Sequence, residues 1–213
     1  MAGSAAGDRR AAAVQAPAHG AHLAAPWPLL GAVLAGAVCG LVAYGIALMR
    51  APEKISAPHL GHLAFAVGLF TAAQLARIFH RVRGDAIMLA WGEVGVMAAL
   101  CLVPAYWLPM IAAVGTLLGH GLRLFGPDRT ARVRVLFTVS VLTVGATASA
   151  TVVTILADPR VPLRATPADL GPLLPLGLAA AAYYLCTSVL SATWAAVSTG
   201  TSVLIPWRSA ART

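Results

Sequence analysis

Six stretches of the chain hold little but apolar and small side chains, at about 27–49, 58–79, 86–103, 107–124, 135–156 and 173–198. Polar, charged or Pro-rich sequence separates them. Each approaches the roughly 20 residues that carry an α-helix across a hydrocarbon core of about 30 Å. Continuous runs of this kind are unlike the short alternating segments of a membrane β-barrel. The pattern predicts an all-α polytopic membrane protein, a bundle of about six transmembrane helices. Pro104 stops the third helix. The connection around Ala105–Pro109 is so short that the third and fourth helices must be antiparallel neighbours, with Tyr106 and Trp107 as interfacial aromatics. Gly36 and Gly40 on the first helix, and Gly115 and Gly119 on the fourth, form small-xxx-small faces suited to close packing within the chain or between copies.

The flanks read differently. Residues 1–26 are Ala-rich and polar with no apolar period, which predicts a disordered N-terminal tail. Arg9-Arg10 is not followed by the apolar core of a twin-Arg signal, and the first apolar run is long for a signal peptide, so it is expected to span. Residues 201–213 form a C-terminal tail, with a small interfacial cluster from Val203 to Trp207.

Composition agrees with the pattern. Of 213 residues, 59% are hydrophobic and 10% charged, against about 25% charged in soluble domains, and the mean hydropathy is +0.81. The net charge of +8 comes from basic residues that flank apolar segments, so it points to topology and anionic lipid rather than nucleic acid. With both termini on one side, that side collects eleven of the 15 basic residues, and the other holds Arg50, Lys54, Arg160 and Arg164. The asymmetry predicts a multi-pass protein of the cell inner (plasma) membrane with both termini cytoplasmic.

The chemistry is sparse. Glu93 is expected to be the one acidic residue within a span, about seven residues, or roughly 10 Å, from the cytoplasmic end of the third helix. A carboxylate at such depth is costly unless it is protonated, paired or hydrated, so it marks a candidate site. Groups expected at similar depth are Thr71, Gln74 and Arg77 from the second helix, Ser140 and Thr143 from the fifth, and Thr187, Ser188 and Ser191 from the sixth. At about 100° per residue, Ser140, Thr143, Thr147, Thr151 and Thr154 fall within an arc of roughly 80°. That hydroxyl stripe fits two readings: a polar inner surface facing Glu93, or helix packing with each hydroxyl bonded to its own backbone. Glu93, Gln74, Arg77, Ser140, Thr143, Thr147 and Ser191 make up the candidate ligand-binding or structural cluster. Anchoring of Glu93 by Gln74 or Arg77 is one reading of it, and sensing is the other.

His59 and His62 share a face but lack the third ligand that zinc requires, and His80 and His120 map to the opposite side. Cys39, Cys101 and Cys186 lie in apolar runs without paired spacing and read as packing residues. There is no phosphate loop, nucleophile elbow, catalytic carboxylate pair or HExxH motif in the sequence. The expectation is a non-enzyme with no metal and no cofactor.

Trp91 and Glu93 opening the third helix, Pro104 closing it, the short turn that follows, and Arg134 to Phe137 opening the fifth helix form a pattern over about residues 60–200. It resembles the six-helix, MASE-like membrane sensor regions that precede GGDEF, EAL or HD-type cyclic-di-GMP signalling domains in actinobacteria. The resemblance implies a bacterial sensory or regulatory module acting on a cytoplasmic output domain or through a homodimer, with the bilayer as its other partner. The alternative is a small transporter or substrate-capture subunit using the same polar groups. An intramembrane enzyme ranks last, because one buried carboxylate is thin chemistry.

Overall fold

The computed structural model describes residues 27–50, 60–75, 77–82, 85–90, 92–121, 129–164 and 169–199, and for residues 77–82, 85–90, 129 and 199 the backbone alone. The described elements are six α-helices, one 3-10 turn and one two-stranded hairpin. The helices are α1 (Trp27–Arg50), α2 (Leu60–Leu75), α3 (Gly92–Leu102), α4 (Leu108–His120), α5 (Arg129–Leu156) and α6 (Leu173–Thr199). The two sequence tails lie outside the described residues.

The fold is helical, as expected, with one short hairpin set between α2 and α3. The second helix was expected to run to residue 79 and the third to begin at 86. Instead α2 ends at Leu75, and β1 (Arg77–Val82) pairs antiparallel with β2 (Asp85–Ala90), Arg77 opposite Ala90 and Val82 opposite Asp85. Arg77, Arg81 and Arg83 interrupt the apolar run here, and Ile78, Phe79 and Val82 favour extended backbone. Short apolar runs do not separate strand from helix by period alone.

Length sorts the helices into two classes. Trp27–Arg50, Thr130–Leu156 and Leu173–Ser198, of 24, 27 and 26 residues, are long and apolar enough to cross a membrane. The helices α2, α3 and α4 have 16, 11 and 13 residues, about 24, 17 and 20 Å at 1.5 Å per residue. Each falls short of a full crossing of about 30 Å.

Packing joins α2, α3 and α4 in one trio and α1, α5 and α6 in another, with α4 and α5 in close contact between them. In the first, Phe70 of α2 is fully buried, and a Cβ at Gly95 of α3 or Gly115 of α4 would stand 3.3 or 3.1 Å from its ring. The Thr71 hydroxyl adds an interhelical bond to the Gly115 carbonyl, 3.1 Å. In the second trio, α1 packs on α5 with Gly36 against Val144 and Gly40 against Thr147. Phe137 of α5 stacks on Trp194 of α6 at 4.1 Å, and the buried Ser149 hydroxyl donates to the Ala179 carbonyl at 2.7 Å. Both small-xxx-small faces are thus used inside the chain. The trios meet along α4 and α5 through small and branched residues, including Ile111, Ala112, Ala146 and Ala150.

One end of the bundle is closed by a strap. Residues 157–164 cross from α5 onto the α3–α4 turn, where Leu163 N–H donates to Leu100 O at 2.8 Å and Ala105 N–H to Pro159 O at 3.1 Å. Leu163 is buried in the main core beside Leu100 and Leu176. Tyr44 reaches the same end, packing on Tyr106 at 5.8 Å and sharing a 3.0 Å hydrogen bond with Thr151.

Candidate functional site

At the level where α2 ends and α3 begins, three polar side chains converge. Gln74 lies in the last turn of α2 and is buried; Glu93 lies in the first turn of α3 and is half-buried. The third is Tyr183, from the middle of α6, with 1% of its surface exposed. Its ring is gripped by two glycines. A Cβ on Gly145 of α5 would stand 3.0 Å from Tyr183 Cδ2, and one on Gly92 of α3 would stand 3.0 Å from Cε1 and Oη. The slot exists because both positions lack a side chain. Through it the phenol reaches the end of α2, where Gln74 Nε2 would stand 3.3 Å from that same Gly92 Cβ.

Gln74 Nε2 and Tyr183 Oη are both sealed from solvent, and neither has a hydrogen-bond partner with the amide so oriented. A buried donor left unmade costs about 1–3 kcal/mol. Both atoms are buried side by side against Gly92, so the economical partner for each is the other. The two ends of a glutamine amide are alike in shape; with Oε1 toward Tyr183, the phenol donates to it. That bond ties α6 to α2 directly over the start of α3. Tyr183 is also within electrostatic reach of Glu93.

The other candidates separate from this node. Arg77 opens β1, and its side chain lies outside the described residues. Ser140 and Thr143 are buried and donate to Leu136 O and Val139 O, each at 2.8 Å. Thr147, Thr151 and Thr154 likewise donate to Thr143 O, Thr147 O and Ala150 O at 2.9, 2.8 and 2.7 Å. Thr147 packs on Gly40 and Thr151 bonds Tyr44, so this part of the stripe faces α1. Gly145 and Ser149, on a different face of α5, meet α6. Ser191 is exposed on the outside of α6. Thr187 donates to Tyr183 O at 2.9 Å and packs its methyl against Gly145.

Tyr183 was not among the residues that the sequence singled out on this helix, which were Thr187, Ser188 and Ser191. The usable signal was chemical: a mid-span tyrosine carries a hydroxyl that needs a partner when buried. Among the described residues, no group of three or more His, Cys, Asp or Glu side chains comes together. Cys39, Cys101 and Cys186 are free thiols on α1, α3 and α6. No family model, curated protein or solved structure matches this chain.

Proposed function

We propose that the chain is an integral-membrane sensory or regulatory module with no catalytic chemistry of its own, whose working centre is the Gln74–Tyr183–Glu93 node. The observation that carries this reading is the placement of the phenol. One side chain of α6 touches α3 and α5 and reaches the end of α2, so a shift at the start of α3, at Gly92 next to Glu93, is passed by packing into α6. The C-terminal end of α6 is also the end that the basic-residue asymmetry assigns to the cytoplasm. In this reading the protein sits in the plasma membrane. Six spans is the topology that this reading takes from the apolar runs of the sequence. A cyclic-di-GMP output is the form of signalling that the resemblance implies.

The test fuses a GGDEF diguanylate cyclase domain after Thr213 and measures cellular cyclic-di-GMP at matched protein levels. Tyr183→Phe and Gln74→Leu are expected to shift the output several-fold in the same direction. Output identical to the parent for both variants would sink the reading.

A second reading, a small transporter, draws on one observation: α2 and α3 are short helices separated by non-helical backbone, as transporter helices broken at a binding site often are. Uptake of a labelled solute by proteoliposomes holding this chain alone, lost in Glu93→Gln, would replace the sensory reading with this one.

A further inference from the structure

We infer that the outer face of α6 is a seam that packs against α6 of a second copy of this chain, making a parallel, two-fold dimer. The inference concerns assembly and does not rest on the sensory reading.

It starts from Tyr184, whose side chain is 53% exposed on the outside of the bundle. Tyr184 stands 11 residues from Leu173 and 15 from Thr199, about 17 and 22 Å from the two ends of the helix. In a hydrocarbon core of about 30 Å, a phenol at that depth reaches neither headgroup layer. It also projects too far to bond the backbone of its own helix, as serine and threonine do. Lipid tails offer no acceptor, so a hydroxyl left there is costly. Two more hydroxyls share its condition. On the same helix, those of Thr187, Thr193 and Ser198 donate to carbonyls of the preceding turn. Those of Ser188 and Ser191, like that of Tyr184, have no partner among the described residues.

Their spacing is regular. Gly177, Ala181, Tyr184, Ser188, Ser191 and Ala195 follow one another by alternating steps of four and three. This is the 3.5-residue repeat of a helix packed along another helix. All are exposed except Ser188, which is half-buried. The exposed positions beside the seam differ in kind: Leu178, Leu185, Val189 and Val197 are large and apolar, as lipid requires. Small and hydroxyl side chains are those through which helices in a membrane approach and bond each other.

The occupant follows from orientation and self-complementarity. Two copies inserted alike in one membrane present α6 in parallel, so each seam residue meets its own counterpart across a two-fold axis. A hydroxyl both donates and accepts, so Ser188 and Ser191 each pair with themselves. Side chains lean toward the helix N-terminus, which carries the Tyr184 ring over the level of Ala181 and Gly177. Their small size leaves room for it on the opposing helix. The other largely exposed long helix, α1, has no such seam: Tyr44, its one hydroxyl residue, is bonded to Thr151.

The test is disulfide cross-linking in membranes, on the full chain with Cys39, Cys101 and Cys186 replaced by alanine. Single cysteines are placed on the seam, as Ser188→Cys or Ser191→Cys, and beside it at similar depth, as Leu185→Cys or Val189→Cys. A disulfide needs Cα atoms within about 7 Å, so mild oxidation should give covalent dimers several-fold more abundantly at the seam. Equal yields at the two sets, or no dimer at either, would overturn the seam. Tyr184→Phe then tests the hydroxyl itself, by energy transfer between labelled copies diluted in liposomes. Association should weaken about tenfold, about threefold for each of the two phenols lost, with the circular dichroism spectrum as in the parent. An unmoved association constant would overturn the role of the phenol. A parent chain that stays monomeric at every lipid dilution would overturn the second copy as the occupant of this face.

Discussion

At the residue scale, the site depends on atoms that are absent. A methyl at Gly92 would meet Tyr183 and Gln74 at 3.0 and 3.3 Å, and one at Gly145 would meet Thr187 Cγ2 at 2.7 Å. Overpacking of this kind costs about 1–3 kcal/mol. Gly92→Ala and Gly145→Ala should therefore each lower the melting temperature in detergent. Gly68, with nothing within 4 Å of its would-be Cβ, supplies the contrast: Gly68→Ala should match or exceed the parent, by about 0.5–1 kcal/mol of helix propensity. A melting temperature unmoved by Gly92→Ala would mean that the phenol does not occupy this slot. For Glu93, substitution by Ala is expected to destabilise more than substitution by Gln, which keeps the shape and one carbonyl. Equal and negligible losses would place the side chain in water or among lipid headgroups rather than in the node.

At the scale of elements, the stripe on α5 can be tested directly. The Thr147 hydroxyl donates to its own helix, so Thr147→Val should cost under about 1.5 kcal/mol, the net worth of one ordinary hydrogen bond. A loss well above that, read from thermal melts, would reveal a hydrated surface at this position. The strap makes the opposite prediction. Leu163→Ala should cost about 2–5 kcal/mol and speed protease cleavage within residues 157–164, and a variant as resistant as the parent would mean the strap is not held by this residue. How far these elements were legible follows from what sets them. The ends of α1 and α6 and the C-terminal end of α5 follow apolar run length, which bilayer thickness and composition dictate together, whereas α5 starts at Arg129 in the basic stretch, ahead of the expected residue 135. The glycine pairs announced close packing but not their partners, because spacing along one helix carries no information about which helix faces it. Gln74 and Glu93 could be matched by counting turns from the helix ends. Tyr183 could not, since its reach depends on Gly92 and Gly145 opening a passage between three helices. The hairpin was hidden because its strands are six residues each, too short for a period of two to be told from a helical one.

At the scale of the molecule, three long apolar helices make a membrane protein the natural reading, and orientation is the next property to measure. Cysteines at the exposed Arg160 and Arg132 positions should divide: Arg160→Cys should react with a membrane-impermeant maleimide on intact cells, and Arg132→Cys only after lysis. The reverse result would invert the topology. The glycine slot has one more consequence, which concerns the order in which the protein is made. Synthesis runs from the N-terminus, so Gln74, Gly92 and Gly145 all leave the ribosome before Tyr183 does. Until α6 follows, the passage has no occupant and the Gln74 amide has no phenol to meet. The sixth helix therefore acts as a keystone, and the arrival of a single aromatic ring marks the moment at which the passage between α2, α3 and α5 is filled.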